Sequence, residues 1–173
     1  MSENITYKIW TVVMIQDGDK VLLLDRQHDN FKGFLPPGGR VEFPESFVMG
    51  AIREVREETG LEVSNLVFKG ISEFVNPTKK DRYIMMNYWT KDFTGELLHN
   101  PPEGELHWVK IEEAKNLPMQ EDIKIRFDLF FEQGTFEIQT VWNEEKNGPE
   151  KVCIKKPKAS FLLALLNLNV VFK

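Results

Sequence analysis

A short stretch of acidic residues and glycines in the first half of the sequence is the part best suited to chemistry. Glu54, Glu57 and Glu58 are three and four residues apart, so on a helix their carboxylates share one face. Three like charges so close together repel one another, and a bound cation would relieve that repulsion. Carboxylate oxygens suit a hard divalent cation such as Mg²⁺, which commonly bridges to substrate phosphates. Gly38 and Gly39 would let backbone atoms approach the same ion or a phosphate closely.

The acidic run also has an ordinary interpretation. A helix face with the sequence REVREE is usually a solvated surface on which residues four apart form ion pairs. The surrounding residues favour the metal-binding interpretation, because the two glycines, Glu45 and Gly60 all lie in register with the carboxylates. We therefore predict a metal site on this helix.

The elements that must position these carboxylates are a helix and the turn before it. Pro44 suits the first turn of a helix, where its missing N–H would have no partner, so the helix is predicted to begin near there. Gly60 suits the C-terminal end, which predicts about four turns. One side of this helix carries an apolar stripe at helical spacing, formed by Val48, Ala51, Ile52 and Val55.

The spacing of these residues resembles the signature of the Nudix hydrolases. Five residues separate Gly39 from Glu45, and seven more separate Glu45 from Arg53-Glu54-Val55. Glu57-Glu58 and Gly60-Leu61 then follow, each after one residue, so every fixed position of the signature is filled.

The flanking chain is similar to the MutT-type branch of that family. A Leu-rich strand ends at Arg26 before the signature, and a Gly-Glu-Leu-His-Trp strand, Gly104 to Trp108, follows it. The order of strands and helices predicts an α/β protein with a mixed sheet and a helix on each side. That agrees with the Nudix fold that the resemblance implies, an α/β/α sandwich with a central mixed β-sheet. We assign residues 1–142 to this domain.

The resemblance implies a metal-dependent enzyme that cleaves a nucleoside diphosphate linked to another group. Glu54, Glu57 and Glu58, aided by a carbonyl of Gly38 or Gly39, would hold Mg²⁺ or Mn²⁺ ions that clamp the diphosphate. The ions would act as Lewis acids and lower the pKa of a bound water that attacks phosphorus. Glu54 or Glu57 is the expected general base.

Two further catalytic roles follow from the resemblance. Arg53 is expected to orient the carboxylates by ion pairing with Glu45 or Glu57. In MutT-type proteins a glutamate in the loop before the late strand joins the metal or activates water. Glu103 and Glu105 both fit that place, and we prefer Glu103 as the alternative general base.

The candidate substrate contacts have open alternatives. Arg26 is either a surface charge or a contact to a substrate phosphate, and Gly39 is expected to approach the substrate closely. Glu121 and Asp122 occupy a place where acidic residues of the oxidised-purine-specific members meet the base edge. They are equally well explained as ordinary acids in the first turn of a helix.

The MutT-like flanks favour a nucleoside triphosphate substrate, ordinary or oxidised, such as 8-oxo-dGTP, which would be cut to monophosphate and pyrophosphate. The sequence departs from the oxidised-purine enzymes at the base pocket, because Phe34-Leu35-Pro36-Pro37 offers no Asn just before the glycines. Alternative substrates are ADP-ribose, a nucleotide sugar or a dinucleoside polyphosphate. A non-catalytic domain that senses a nucleotide is the alternative from another class.

Length and composition indicate one soluble domain. The chain has 173 residues, of which 42% are hydrophobic and 28% are charged. Its formal net charge of −5 offers no basic surface for a long nucleic acid, whereas a metal can still attract a small anionic nucleotide. Cys153 is the only cysteine, which fits a reducing compartment. The first residues, MSENITYK, do not resemble a signal peptide, so we expect a cytoplasmic protein.

The end of the chain, residues 143–173, is predicted to be an extension that is first basic and then apolar. Its apolar run from Phe161 to Phe172 is shorter than the roughly 20 residues that span a bilayer. Such a segment could lie at a membrane surface, but packing on the domain or on another subunit, or no role at all, fits it better, because Asn167 and Asn169 interrupt the run. No membrane contact is therefore expected. Exposed aromatic strands also make a homodimer an expectation of the sequence.

Overall fold

The protein is described by a computed structural model that covers residues 5–27 and 32–156. Three α-helices within these ranges are α1 (Phe47–Thr59), α2 (Ile111–Ala114) and α3 (Glu121–Arg126), and a 3-10 turn follows at Asp128–Phe130. The strands of the same ranges are β1 (Thr6–Asp17), β2 (Lys20–Arg26), β3 (Gly33–Leu35), β4 (Glu62–Ser64), β5 (Val67–Asn76), β6 (Asp81–Thr90), β7 (Asp92–Thr94), β8 (Gly104–Lys110), β9 (Phe136–Asn143) and β10 (Gly148–Lys155).

Most of the strands form one mixed sheet in the order β10-β9-β5-β6-β1-β2-β3, and β8 pairs with β2. β1 runs parallel to β6, from Thr6 opposite Asp81 to Ile15 opposite Thr90, and β5 runs parallel to β9. The other pairings in this sheet are antiparallel. The predicted α/β class with a central mixed sheet is therefore confirmed.

The two faces of β1 show how the sheet is sandwiched. Successive side chains of a strand point to opposite faces. Val13 packs with Val55 of α1, whereas Met14 packs with Phe127 and the helical segments that follow α2. All four side chains are buried, so both faces of the central strands are covered by helices. This arrangement fixes α1, and with it the carboxylates, against one face of the sheet.

The start of α1 differs from the prediction. The helix begins at Phe47, and the N-cap residue Ser46 accepts a hydrogen bond from the backbone N–H of Met49 at 3.2 Å. Pro44 therefore lies in the turn before the helix rather than in its first turn. Val48 is 41% exposed, so its assignment to the apolar stripe was wrong, because the first turn of α1 projects into solvent. The predicted end is confirmed, since Gly60 adopts the left-handed conformation at the C-terminus.

The sheet extends further along the chain than predicted. The predicted domain ends at residue 142, and beyond it β10 pairs antiparallel with β9, from Gly148 opposite Asn143 to Lys155 opposite Glu137. Part of the predicted extension is thus continuous with the sheet. The apolar run from Phe161 to Phe172 lies outside the described residues. No helix in the described ranges is long and apolar enough to span a membrane.

A buried arginine attaches α3 to the sheet. Arg126 is only 2% exposed; its Nη1 donates to the Ser72 hydroxyl of β5, and its Nη2 lies 3.1 Å from a carboxylate oxygen of Asp122. Burial lowers the pKa of Arg126, and the charge of Asp122 opposes that shift. Asp122 therefore has a structural role as the counter-ion of a buried guanidinium.

Removal of this counter-ion should destabilise the fold. We expect Asp122→Ala to lower the free energy of unfolding by about 2 kcal/mol, because the Arg126 charge would stay buried without its partner. Glu121→Ala is the matched control, since Glu121 pairs with Lys124 on the surface and should contribute less than about 1 kcal/mol. Urea denaturation of both variants measures the difference. Equal losses would contradict the structural role of Asp122.

Candidate active site

The glycine turn before α1 is held against β1 as an additional extended segment. The backbone N–H of Thr11 donates to the Gly39 carbonyl at 2.8 Å, and that of Val13 donates to the Pro37 carbonyl at 2.9 Å. Gly38 lies so close to β1 that a β-carbon there would overlap the Thr11 carbonyl. Because the Gly39 carbonyl already accepts from Thr11, the Gly38 carbonyl is the better placed of the two to bind an ion.

Because Gly39 has no side chain, it also leaves room for a carboxylate of α1. A β-carbon at Gly39 would overlap both oxygens of Glu54, so this carboxylate occupies the space that a side chain would take. The pKa of Glu54 is raised, chiefly by burial, and Arg53 opposes the shift. The turn and the helix are therefore shaped to bring backbone oxygens and the Glu54 carboxylate together.

Arg53 is the centre of the ion-pair network. Its Nε and Nη2 donate to the two oxygens of Glu45 at 3.1 and 2.7 Å, a bidentate pair. Its Nη1 donates to Glu54 at 2.9 Å and to Glu57 at 3.1 Å, and Nη2 also donates to the Arg40 carbonyl at 2.9 Å. The hydrogen bonds that Arg53 donates to Glu45 lower the pKa of Glu45 to about 2. Arg53 thus links the turn, the start of α1 and two of the candidate ligands.

Glu58 lies on the inner side of the same helix. It is 6% exposed and accepts a hydrogen bond from the Gly38 N–H at 2.9 Å. Burial raises its pKa to about 8; the Gly38 hydrogen bond and the charge of Arg26 oppose this shift, whereas the charges of Glu103 and Glu54 add to it. The Gly38 amide and Arg26 therefore compensate the burial of the Glu58 carboxylate only in part.

Arg26 and Glu103 form an ion pair beside these carboxylates. Arg26 Nη1 lies 3.1 Å from a Glu103 oxygen, and β8 begins opposite Arg26 at Gly104. Both charges act on the pKa of Glu58, which places the pair next to the helix. Glu105, in contrast, is exposed and lies 3.5 Å from His107. The structure thus brings Glu103, and not Glu105, to the carboxylates.

The remaining predicted substrate contacts have other partners. Asp122 pairs with Arg126 and Glu121 with Lys124, so none of their described contacts joins them to the carboxylates of α1. The prediction that they read a base edge gains no support from these contacts.

Sequence reasoning missed a flank of the site that comes from β1. Trp10 lies directly opposite Arg40 in an antiparallel bridge, so their side chains share a face next to Gly39. Lys8, two residues away on the same face, donates from Nζ to the Tyr83 hydroxyl at 2.8 Å. Among the described residues, the Trp10 indole N–H is buried without a hydrogen-bond partner. The alternation of side chains along β1 can be read from the sequence, whereas the pairing of β1 with the glycine turn cannot.

These groups fit a hard cation by their chemistry. The donors are carboxylate and carbonyl oxygens, and the raised pKa values of Glu54 and Glu58 reflect burial and mutual repulsion that a cation would relieve. In the described part of the chain, no three His, Cys, Asp or Glu side chains converge closely enough to hold an ion. The hydrogen bonds explain this, because Arg53 holds Glu54 and Glu57 while the Gly38 amide holds Glu58.

Glu58 should make the metal-free protein less stable at higher pH. Its folded pKa of about 8 exceeds the ordinary value of 4.5. Between these values the unfolded chain releases the proton while the folded chain keeps it, so the free energy of unfolding falls as pH rises. The loss approaches about 1.4 kcal/mol for each pKa unit of the shift. Glu58→Gln, which mimics the protonated acid, should remove most of this decline.

Urea denaturation with EDTA present, at about pH 5 and about pH 8, measures this effect. Glu62→Gln is the control, because Glu62 is exposed and pairs with Arg56 only at 3.9 Å. Wild-type protein and Glu58→Gln with parallel pH dependences would show that Glu58 is not the buried acid responsible.

Comparisons with known proteins agree with this geometry. Residues 7–130 match the model of the NUDIX domain. An uncharacterised Nudix hydrolase of Bacillus subtilis is 33% identical over 112 residues, which are 63% of this chain and 70% of that protein. The asymmetrical bis(5'-nucleosyl)-tetraphosphatase of Mus musculus is 30% identical over 106 residues, which are 59% of this chain and 72% of that enzyme.

The fold agrees with solved structures as well. A crystal structure of a mutator MutT protein from Bacillus halodurans superposes with a TM-score of 0.76 at 26% sequence identity, over 86% of this chain and 97% of that one. Among these three relatives only the tetraphosphatase has a name that states a substrate, so they establish the class of enzyme rather than its substrate. The match to the domain model extends well beyond the signature, from β1 to the 3-10 turn. The chain therefore belongs to the Nudix family of hydrolases.

Proposed function

We propose that this enzyme hydrolyses a nucleoside triphosphate, ordinary or oxidised, such as 8-oxo-dGTP, to the monophosphate and pyrophosphate. The reaction class is supported by the carboxylates that Arg53 binds, Glu54 and Glu57. The Glu54 carboxylate also lies against Gly39. The choice of a triphosphate rests on the resemblance of the flanking chain to the MutT-type branch, and it is consistent with the similarity in fold to the MutT protein of Bacillus halodurans over most of both chains. Nudix hydrolases act on small nucleotide substrates and generally need a divalent metal ion.

Mg²⁺ or Mn²⁺ is the proposed ion. Glu54, Glu57 and Glu58 would hold it together with the carbonyl of Gly38 or Gly39, because these oxygens are the hard donors next to the turn. When bound, such an ion supplies Lewis-acid polarisation of phosphoryl oxygens and a water of lowered pKa.

The chain's own residues then have separable roles. Glu54 or Glu57 would accept the proton of the attacking water, and Glu103 is the alternative, since a carboxylate that binds a metal is a poor base in the same step. Arg53 keeps the carboxylates oriented through its three ion pairs. Arg26 would exchange its contact with Glu103 for a phosphate oxygen, which leaves Glu103 available to a water. Gly39 lets the substrate approach the backbone closely.

The nucleobase of the substrate would lie on the flank formed by Lys8, Trp10 and Arg40. The buried Trp10 indole N–H needs an acceptor, and an oxygen or nitrogen of a nucleobase would supply one. Lys8 and Arg40 add positive charge close to the glycine turn, as the effect of Arg40 on the pKa of Lys8 indicates. We do not assign base recognition to Glu121 or Asp122, because Asp122 neutralises Arg126.

A dinucleoside polyphosphate is the second candidate substrate. It is favoured by the similarity to the mouse bis(5'-nucleosyl)-tetraphosphatase. The Pro36-Pro37 pair before the glycines also provides no Asn to read an oxidised purine. We further propose a cytoplasmic enzyme, which fits the single cysteine, and a homodimer, which fits the exposed apolar side chains.

A substrate panel tests the proposal. Product release would be measured with Mg²⁺, with Mn²⁺ and with EDTA, on 8-oxo-dGTP, the ordinary dNTPs, ADP-ribose, a diadenosine polyphosphate and a nucleotide sugar. We expect metal-dependent release of pyrophosphate from a triphosphate. Preferential cleavage of the diadenosine polyphosphate would favour the second candidate, and hydrolysis that persists in EDTA would refute the metal-dependent reaction.

Glu57→Gln should lower kcat by orders of magnitude while the fold is kept. Glu57 is exposed on α1, so the change removes a carboxylate charge without disturbing the core. Glu62→Gln is the matched control, because it also removes an exposed glutamate that faces an arginine, and it should retain full activity. Steady-state kinetics and thermal unfolding of both variants provide the measurement. Full activity of Glu57→Gln would exclude its role in metal binding or proton transfer.

A further inference from the structure

A second cleft opens on the face of the sheet opposite α1. It has a volume of about 900 Å³, which is within the range of small-molecule sites. Gln16 and Trp89 line it at the ends of β1 and β6, Lys69 contributes from β5, and Ile111 and Phe131 form apolar walls. None of its lining residues belongs to the carboxylate site or to the Lys8 flank. The cleft has no part in the proposed reaction.

Lys69 is placed in this cleft by a β-bulge. The register between β5 and β6 shifts from Phe68 opposite Tyr88 to Gly70 opposite Asn87, so Lys69 is the extra residue without a cross-strand partner. Bulges of this kind redirect a side chain and are common near functional sites. The side chain of Lys69 is consequently 6% exposed, although it carries a charge.

The ammonium of Lys69 is only partly satisfied. Its Nζ donates to the Glu132 carbonyl at 2.5 Å, and within the described ranges this is its one hydrogen-bond acceptor. An ammonium has three protons to donate, so two of them lack a protein partner there. Burial lowers the pKa of Lys69 and the charge of Glu132 opposes that shift, so the surroundings compensate the ammonium charge only in part. An anion in the cleft would supply both the acceptors and the charge.

The acidic residues around the cleft offset the charge of Lys69 only in part. Asp128 is bound by Lys115 at 2.7 Å, and the Glu132 carboxylate is bound by Lys156 at 2.6 Å. The other two acids, Asp19 and Glu112, are exposed to solvent at the rim. The buried part of the cleft is therefore cationic, while its rim is mixed in charge.

Trp89 gives the cleft a fixed aromatic wall and a second lysine. The indole N–H of Trp89 donates to the Gln16 side-chain oxygen at 3.0 Å, which holds the ring in place. Lys91 Nζ lies 5.4 Å from the centre of the Trp89 ring, so a second ammonium is positioned at the edge of the cleft.

We propose that this cleft is a second ligand site, which binds a small organic anion through its phosphate or carboxylate group to Lys69, with Lys91 as a supporting cation. The apolar walls provide room for the rest of the ligand. Two sources would supply such an anion: the nucleoside monophosphates that the proposed reaction releases, or an unrelated carboxylate metabolite. The inference goes beyond the proposed function, because binding at Lys69 does not require hydrolysis.

Binding should be measured apart from catalysis. In the Glu57→Gln background with EDTA, inorganic phosphate, AMP, GMP and benzoate would each be titrated by calorimetry, with tryptophan fluorescence as a second readout. We expect saturable binding of at least one anion. Tighter binding of AMP or GMP than of benzoate would identify reaction products as the ligand class, and the reverse order would identify a carboxylate. No saturable binding of any of the four would overturn the proposal.

Variants then locate the site. Lys69→Met should weaken binding at least about tenfold, because the buried charge contributes a charge-assisted hydrogen bond. Lys151→Met on β10 removes the same charge from an exposed position and should leave the affinity unchanged. Equal affinities in these two variants would refute the assignment.

Lys91→Met keeps the test decisive if Lys69→Met does not fold. Lys91 is exposed, so its loss should not disturb the core, and a severalfold weaker affinity is expected. An unchanged affinity in a folded Lys91→Met, together with an unfolded Lys69→Met, would count against the site. Lys69→Arg should recover part of the affinity, since it restores the positive charge.

Discussion

The organisation of the catalytic side depends on one guanidinium. Arg53 binds Glu45 through two nitrogens, reaches Glu54 and Glu57 with the third, and donates to the Arg40 carbonyl of the glycine turn. Without this positive charge, the carboxylates would repel one another, and the turn would keep only the Gly38–Glu58 hydrogen bond among its described hydrogen bonds to the helix. The planar, permanently charged group is suited to this task because its donors point in fixed directions. A lysine in the same place would reach fewer of these acceptors.

The sequence was informative wherever function follows from local spacing. The end of α1 at Gly60 and the ion pair between Arg53 and Glu57, which are four residues apart, depend on local signals that the sequence displays directly. The choice between Glu103 and Glu105 did not follow in this way. It depends on the register that sets Arg26 opposite Gly104, and such pairing between distant strands leaves no trace in a single sequence.

Burial was the other property that the sequence did not reveal. Asp122 and Arg126 are four residues apart, so the sequence alone could predict their ion pair. The importance of this pair for stability comes from the burial of the Arg126 guanidinium between α3 and the sheet, which the sequence does not show. Val48 fits the apolar stripe by spacing, yet the first turn of α1 is exposed. Lys69 looks like an ordinary surface lysine, and only the bulge in β5 turns it inward. In each case tertiary packing overrides what residue type suggests.

The strand β10 has a consequence for how copies of this protein can meet. In the described structure it is the last strand of the sheet, so one side of its backbone is free of a neighbouring strand. Pro149 cannot donate to a further strand, and Lys151 and Lys155 place exposed positive charges along that edge. Within the described residues, the missing donor of Pro149 and the exposed lysines therefore make β10 a poor template for the addition of another strand.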